Sequence, residues 1–466
     1  MILLHVEDHT TWFEENVRPE LEVFCSRVIH ASNFELAKNI FDNTPIDYVI
    51  LDQSIPLNDE DINPTISNGL SFADYIKSNS PGTPILILTG QSRDEAVIRY
   101  VEEQPQTFFF DGEFRGLIKV RAKRNLVDAL SIVRSYSESL EQLNAIELVS
   151  DVNLTEHETR VLKLFGKHRD CIGLRLKTIG GGLSGAKVYK VTLINSAGAG
   201  VVNTLAKISD FESVDIDANN YERHISILAV GSYPTLLNTY YAGCSNVKGV
   251  FYQFAVDYSK NYFDLLVSDR GVAIEEIDRL LGILSVWSSN KNTVTRQLKD
   301  IRRTICSDTK LEIARTFFDF DFERVERKLV NYFECIQHGD LHGENILISQ
   351  GSSPIVIDYG DVKLTTSVLD LVTLELSPFF HPSIKDKFGD LSMDIAKHWF
   401  DVQRVVEHSP FPDVSIFLGS LRQEYSLMGK DYAATVYSYA LRQLSYPDTN
   451  REFAIQLVLS AVRKLN

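Results

Sequence analysis

The chain has 466 residues, 44% of them hydrophobic and 24% charged, with a formal net charge of -16. That length exceeds one ordinary domain and the apolar content supplies two packed cores, while the acidic balance disfavours a nucleic-acid duplex or a membrane surface as partner. The five cysteines stand without close pairs, which speaks against a zinc site or a disulfide framework, and no apolar run reaches bilayer-spanning length, so a cytoplasmic protein is expected.

From residue 1 to about 135, apolar strand candidates at 2–6, 48–51 and 84–88 alternate with amphipathic stretches, the pattern of a doubly wound parallel sheet. Glu7, Asp8 and Asp52 fall at the C-terminal ends of these strands, the edge where ligands gather in open α/β sheets. Three close carboxylates repel one another unless a divalent cation neutralises them, so a magnesium site follows. Thr89 and Lys119 add a hydroxyl and a cation to the same rim. Between 126 and 148 apolar residues recur at helical spacing, and Leu130, Val133, Leu140, Leu143 and Ile146 read either as a homodimer seam or as core. The stretch 154–162 starts like a DNA-binding output helix, yet no recognition helix follows, so no nucleic-acid partner is expected.

Gly180, Gly182, Ser184 and Gly185 lie in a glycine-rich loop between strand candidates at 174–179 and 187–193. A strand on both sides favours a loop that lays backbone N–H groups over phosphates, because a dinucleotide fold would need a helix after the glycines. Lys207 stands among apolar neighbours in a strand candidate at 204–208, where an ammonium needs phosphate and a carboxylate; Glu222, on a helix-like segment at 218–229, is the natural partner. In the run His338-Gly339-Asp340-Leu341-His342-Gly343-Glu344-Asn345, Asp340 sits where a carboxylate accepts the proton of an attacking hydroxyl. Asn345 and, after a short hairpin, Asp358 supply hard oxygen ligands for magnesium on nucleotide phosphates. The remainder is helical in pattern, with Trp287, Phe317, Phe318, Phe322, Trp399, Phe400 and Phe417 as core; Asp269, Glu275 and Glu276 read as a solvated face or as recognition of a cationic acceptor.

On these residues two resemblances rest. Glu7-Asp8, Asp52-Gln53-Ser54-Ile55-Pro56, Leu88-Thr89-Gly90 and Lys119 make the N-terminal part resemble a response-regulator receiver domain. That likeness implies a five-stranded, flavodoxin-like parallel sheet, Asp52 as phosphate acceptor, Glu7 and Asp8 as magnesium ligands, Thr89 as switch hydroxyl and Lys119 as phosphate partner. Val120 stands where the family has proline, which keeps Lys123 as a rival for Lys119, and 58–68 reads as an insertion. A receiver that serves only for docking is the alternative.

From about residue 151 onward, His338, Gly339, Asp340, His342 and Asn345 with Ile357, Asp358 and Asp361 resemble the aminoglycoside-phosphotransferase-like branch of the kinase fold. It implies a two-lobed α+β fold using ATP and magnesium. Asp340 would be the base, Asn345 and Asp358 metal ligands, Lys207 the partner of the α/β-phosphates and Glu222 its orienting acid, with a hinge at 252–255. Asp370 fits either a brace of the catalytic loop or a helix N-cap. The expected organisation is a receiver at 1–135, a connector at 136–170, a small lobe at 171–256 and a helical large lobe at 257–466. Together these imply a kinase acting on a small-molecule or protein hydroxyl, controlled through Asp52 by a sensor histidine kinase. A nucleotide-binding pseudokinase scaffold and a protein kinase of a stress or defence pathway are the alternatives.

Overall fold

The computed structural model describes all residues except 62, 91–94, 180–186, 255–257, 259, 350–352 and 390. The chain divides into two compact units, Met1–Asp215 with Thr235–Phe254, and Ile216–Pro234 with Ala255–Asn466.

In the first unit, five parallel strands pair in the order Arg27–Ala31, Ile2–Val6, Tyr48–Asp52, Ile85–Thr89, Ile118–Ala122. This is the 2-1-3-4-5 order of flavodoxin-like sheets. Successive side chains of the central strands point to opposite faces and both faces are covered: Leu3, Tyr48, Ile50, Leu86 and Leu88 join one core, while Leu4, Val49, Leu51, Ile85 and Ile87 join another. A hairpin of Gln106–Phe108 and Phe114–Gly116 precedes the last strand. The helix Leu126–Asn144 follows it.

A second sheet of the same unit has six strands, in the order Thr235–Tyr240, Val247–Phe254, Gly200–Asp210, Lys187–Ile194, Gly173–Thr178, Glu147–Ser150. The first core does not stop at the receiver-like sheet. It continues through Tyr136, Leu140 and Leu143 of the long helix and Val161 and Phe165 of the helix Glu156–Lys167 to Tyr189, Ile208 and Phe251 of the second sheet. Of the two readings of that stripe the structure favours core: Val133, Leu140, Leu143 and Ile146 are core residues and Leu130 packs partly buried against them, because the helix turns the stripe inward. Arg160 is 3% exposed, with Nη2 2.9 Å from Asp47 Oδ1 and Nη1 donating to Gly243 O at 2.6 Å. Gly82 and Ser245 extend the seam, Gly82 N donating to Ser245 O at 2.7 Å and Gly243 N to Gly82 O at 2.8 Å.

The second unit is mostly helical. The loop at 338–345 is framed by strands: Leu329–Gln337 leads into it, and Ile346–Ile348 pairs antiparallel with Ile355–Val356, so that Ile346 faces Val356. The helices Leu369–Phe380, Lys430–Gln443 and Arg451–Leu465 pack behind it, burying Phe379, Trp399, Tyr437 and Phe453. Asp269 caps the helix Arg270–Ser288 by accepting from Val272 N, and Glu276 faces Arg279 at 3.4 Å.

Candidate active site

The loop after Leu329–Gln337 is held by Asp370. Its two carboxylate oxygens accept from His338 N at 2.8 Å and Gly339 N at 2.9 Å, and its own N–H donates to Gln337 Oε1 at 3.1 Å. The N-cap of its helix is Val368, so Asp370 spends its oxygens on the His338–Gly339 backbone and not on its own helix end. Gly339 adopts φ +83, and a Cβ there would fall on the carbonyl oxygen of Asp361, so only glycine lets the two loops approach. Asp358 is itself at φ 65, a left-handed conformation that a non-glycine residue holds only when its surroundings demand it. Those surroundings are visible. Ile357 N donates to Asn345 O at 3.0 Å, and Asp217 Oδ2 accepts from Tyr359 N at 2.9 Å. Asn220 Nδ2 donates to Tyr359 O at 2.7 Å.

The result brings the chemistry-bearing residues of the loop together. Asn345 donates its amide nitrogen to Asp340 O at 2.9 Å and lies 3.2 Å from His342 Nε2, which leaves its carbonyl oxygen as the atom for a cation. The strand pairing of Ile346 with Val356 carries Asp358 back beside Asn345. Asp340 Oδ1 accepts from Arg442 Nη2 at 2.8 Å, and Oδ2 lies 3.6 Å from His342 Nε2. Burial alone would raise the Asp340 carboxyl; the Arg442 guanidinium, followed by His342, overcomes it and holds the group well below the usual carboxylate range. Arg442 gave no signal in the sequence, because it sits on a helix a hundred residues from the loop it meets.

Lys207 is 5% exposed on the Gly200–Asp210 strand, between Val188 and Val250 on its neighbours. Glu222 departs from its expected place. The helix there runs Phe211–Asn220, started by Asp210 accepting from Ser213 N, and then widens into a π-helical turn at Tyr221–Ile225. That turn buries Tyr221 and Ile225 and rotates Glu222 into solvent. Glu222 therefore does not offer the buried carboxylate expected of it; the buried carboxylate of the segment is Asp217, 1% exposed. Gly180, Gly182, Ser184 and Gly185 lie outside the described residues, as does Ala255 of the expected hinge, whereas Tyr252 is buried.

In the first unit Glu7, Asp8 and Asp52 meet at the C-terminal edge of the parallel sheet, with ligand oxygens within 4.8 Å of one another. That spacing and an all-oxygen donor set suit an octahedral magnesium ion. Burial first, then the charge of Asp52, push the Glu7 carboxyl up to about 7. Asp52 is raised for the same leading reason, against the pull of Lys123. Thr89 is buried one residue past the register of Asp52 with Leu88. The cation of the pocket is Lys123, whose Nζ lies 2.7 Å from Glu7 Oε2 and 2.9 Å from Asp52 Oδ2; burial works against its charge, but Asp52 and Glu7 hold its pKa up. This corrects Lys119. The strand runs on to Ala122, so Lys119 lies second in it, three residues short of the acidic edge, and lines a separate cavity of about 230 Å³ with Tyr48, Arg115, Ser135 and Tyr136.

A braced loop with a half-buried acid, an amide and a second acid returned by a hairpin offers the donor set that metal-assisted phosphoryl transfer uses, and three acids meet at the C-terminal edge of the parallel sheet. Residues 282–383, which include Asp340, Asn345, Asp358 and Asp370, match the model of the phosphotransferase enzyme family APH. No curated protein matches the chain. Among solved structures, a response regulator receiver domain protein from Clostridium thermocellum is similar at 22% identity over 30% of this chain and 97% of its own, TM-score 0.22. A second, from Methanospirillum hungatei, is similar at 17% identity over 30% and 96%, TM-score 0.22. The ethanolamine kinase of Plasmodium vivax is similar at 14% identity over 71% of this chain and 94% of its own, TM-score 0.34. The chain thus joins a receiver-like domain to a kinase-like phosphotransferase domain. No helix among the described residues is long and apolar enough to cross a membrane.

Proposed function

We propose that the chain is an ATP- and magnesium-dependent phosphotransferase that moves the γ-phosphoryl group to a hydroxyl, under the control of phosphate accepted at Asp52. The observation that carries this reading is the Asp370 brace, which fixes the His338–Gly339 backbone and so spends two buried charge-assisted hydrogen bonds on the residues that lead into the Asp340 carboxylate. Asp340 acts as the base for the attacking hydroxyl. The Asn345 carbonyl oxygen and the Asp358 carboxylate hold magnesium, which when bound neutralises charge on the phosphates. Asp217 is a positioning residue for the Asp358 turn, in the place where Glu222 was expected to act. Lys207 and the glycine-rich loop at Gly180, Gly182, Ser184 and Gly185 keep their phosphate-binding roles as proposals from the sequence.

The receiver-like domain takes its phosphoryl group from a sensor histidine kinase, with Glu7 and Asp8 holding magnesium, Lys123 as the phosphate partner and Thr89 as the switch hydroxyl. The functional segments 1–135, 136–170, 171–256 and 257–466 stay a proposal from the sequence, beside a division into compact units that falls at Asp215, Pro234 and Phe254. The five free, buried cysteines support a reducing, cytoplasmic setting. The test is ADP release by the full chain with Mg-ATP. Asp340→Asn should lower turnover by roughly a hundred- to ten-thousand-fold with nucleotide affinity retained. Nucleotide binding without turnover in the unaltered chain would instead make it a pseudokinase.

A further inference from the structure

The groups that act most on the Asp340 charge are basic, Arg442 first and then His342 and His338, with Asp370 as a nearby acid. Arg442 pairs with it at 2.8 Å, and the Arg442 Nε is buried without a hydrogen-bond partner, so the guanidinium keeps a donor unused. One turn further along, Tyr446 Oη accepts from Lys310 Nζ at 3.2 Å, and the ammonium stands 5.0 Å over the same ring. Lys310 makes no ion pair among the described residues. On the other side, His342 lies 3.6 Å from Asp340, and its ring is 4.7 Å from that of His381. The carboxylates that a cationic acceptor would need are engaged elsewhere: Asp269 caps a helix, Glu276 faces Arg279, and Glu344 lies 3.7 Å from His381.

We propose that the acceptor is an alcohol that also carries an anionic group, a carboxylate or a phosphate, which Arg442 and Lys310 hold while its hydroxyl meets Asp340. This rests on the phosphotransferase reading above and names its substrate class. Arg442 spans both tasks, with Nη2 on the catalytic carboxylate and its remaining N–H groups for the substrate anion, a fork that suits carboxylate and phosphate alike. In the step itself, the hydroxyl oxygen bonds to the γ-phosphorus as the bond to the β,γ-bridging oxygen breaks and its electron pair leaves with ADP. The hydroxyl proton passes to Asp340 and then to solvent. An ammonium in place of the anion would stand against Arg442 and Lys310, a like-charge encounter that costs several kcal/mol.

The experiment measures ADP release by the full chain with Mg-ATP and four matched alcohols: glycerate, glycerol phosphate, glycerol and ethanolamine. One or both anionic alcohols should exceed ethanolamine in kcat/KM by at least about 100-fold. Their ratio tells whether carboxylate or phosphate is the preferred anion. Lys310→Gln should raise KM for the better anionic alcohol by about tenfold while kcat holds, a split that a merely structural lysine would not produce. Equal rates for all four, preference for ethanolamine, or no turnover of either anionic alcohol overturns the proposal. Slow acceptor-free hydrolysis of Mg-ATP, lost in Asp340→Asn, tests the underlying reading separately: its presence with a failed panel removes only the acceptor class.

Discussion

Replacing Asp370 with alanine removes both acceptors of the His338 and Gly339 N–H groups while leaving Gln337 Oε1 bound to the backbone of residue 370. Both donors are buried, and an unsatisfied buried donor costs about 1–3 kcal/mol, so the pair amounts to about 2–6 kcal/mol. That is a large part of the 5–15 kcal/mol typical of a whole domain. Asn at 370 should fall between, because its one carbonyl oxygen still accepts one N–H while its amide turns a donor toward the other. Urea denaturation of the full chain reads the stability, and ADP release reads the position of Asp340. We expect Asp370→Ala to lose at least about 2 kcal/mol and to lower kcat more than it raises KM for ATP, because Asp340 and not the nucleotide is displaced. A loss below about 1 kcal/mol with kcat unchanged would show that the loop holds its shape without the brace.

Further outcomes follow from the same geometry. Lys123→Met should cut acyl-phosphate formation at Asp52 from a small phosphodonor by about 10- to 100-fold, the worth of one charge-assisted contact, whereas Lys119→Met should leave it near the unaltered rate; the reverse ranking would restore Lys119. Glu7 titrates near 4.5 when unfolded and about 7 when folded, so between those values the folded chain holds a proton that the unfolded chain has released. Stability without magnesium should therefore fall as pH rises through that window, by up to about 3 kcal/mol, and Glu7→Gln should flatten the slope; an identical slope in the variant refutes the assignment. Gly339→Ala, forced to a positive φ and against Asp361 O, should cost more than about 2 kcal/mol and most of the activity, and a well-folded, active variant would contradict the close approach. Arg160→Met leaves the half-buried Asp47 without its cation and should destabilise the first unit by about 1–3 kcal/mol in calorimetry; a loss under about 0.5 kcal/mol would mean that the seam between its two sheets lies elsewhere.

What the sequence revealed of the site was what short spacing controls. Asp340 and Asn345 lie five residues apart in one loop, and the two apolar runs after them announce the hairpin that returns Asp358. The acids at the ends of the first and third strands could be read from alternation alone, since a buried parallel strand points its last residues at the sheet edge. The failures share a cause, which is register. Lys119 and Lys123 stand four residues apart, Lys119 three residues before the strand's last residue Ala122 and Lys123 one after it, and the half-exposed last strand carries too weak an alternation to mark that end. Glu222 lost its place to a π-helical turn, an extra residue that helical spacing does not foresee. Arg442 and Arg160 were beyond reach because both are defined by partners over eighty residues away. The strand Glu147–Ser150 is short and polar, and it exists only because Gly173–Thr178 offers it an edge.

The seam within the first unit constrains how phosphate at Asp52 would be felt. Asp47 immediately precedes the five-residue strand Tyr48–Asp52 and Asp52 ends it, about 16 Å apart, with Arg160 at the first and the acidic pocket at the second. The partner sheet thus occupies the edge opposite to phosphorylation, and Asp52 is not covered by that seam. A change at the pocket must therefore cross the receiver-like domain to act. The sheet is a poor carrier, because both its faces are close-packed and resist gradual deformation. The helix Leu126–Asn144 is better placed: it begins three residues after Lys123, spans about 28 Å, and ends three residues before the strand Glu147–Ser150 of the second sheet. If a phosphoryl group on Asp52 drew Lys123 away from Glu7, the pull would fall on the start of that rod, whose far end leads into the second sheet.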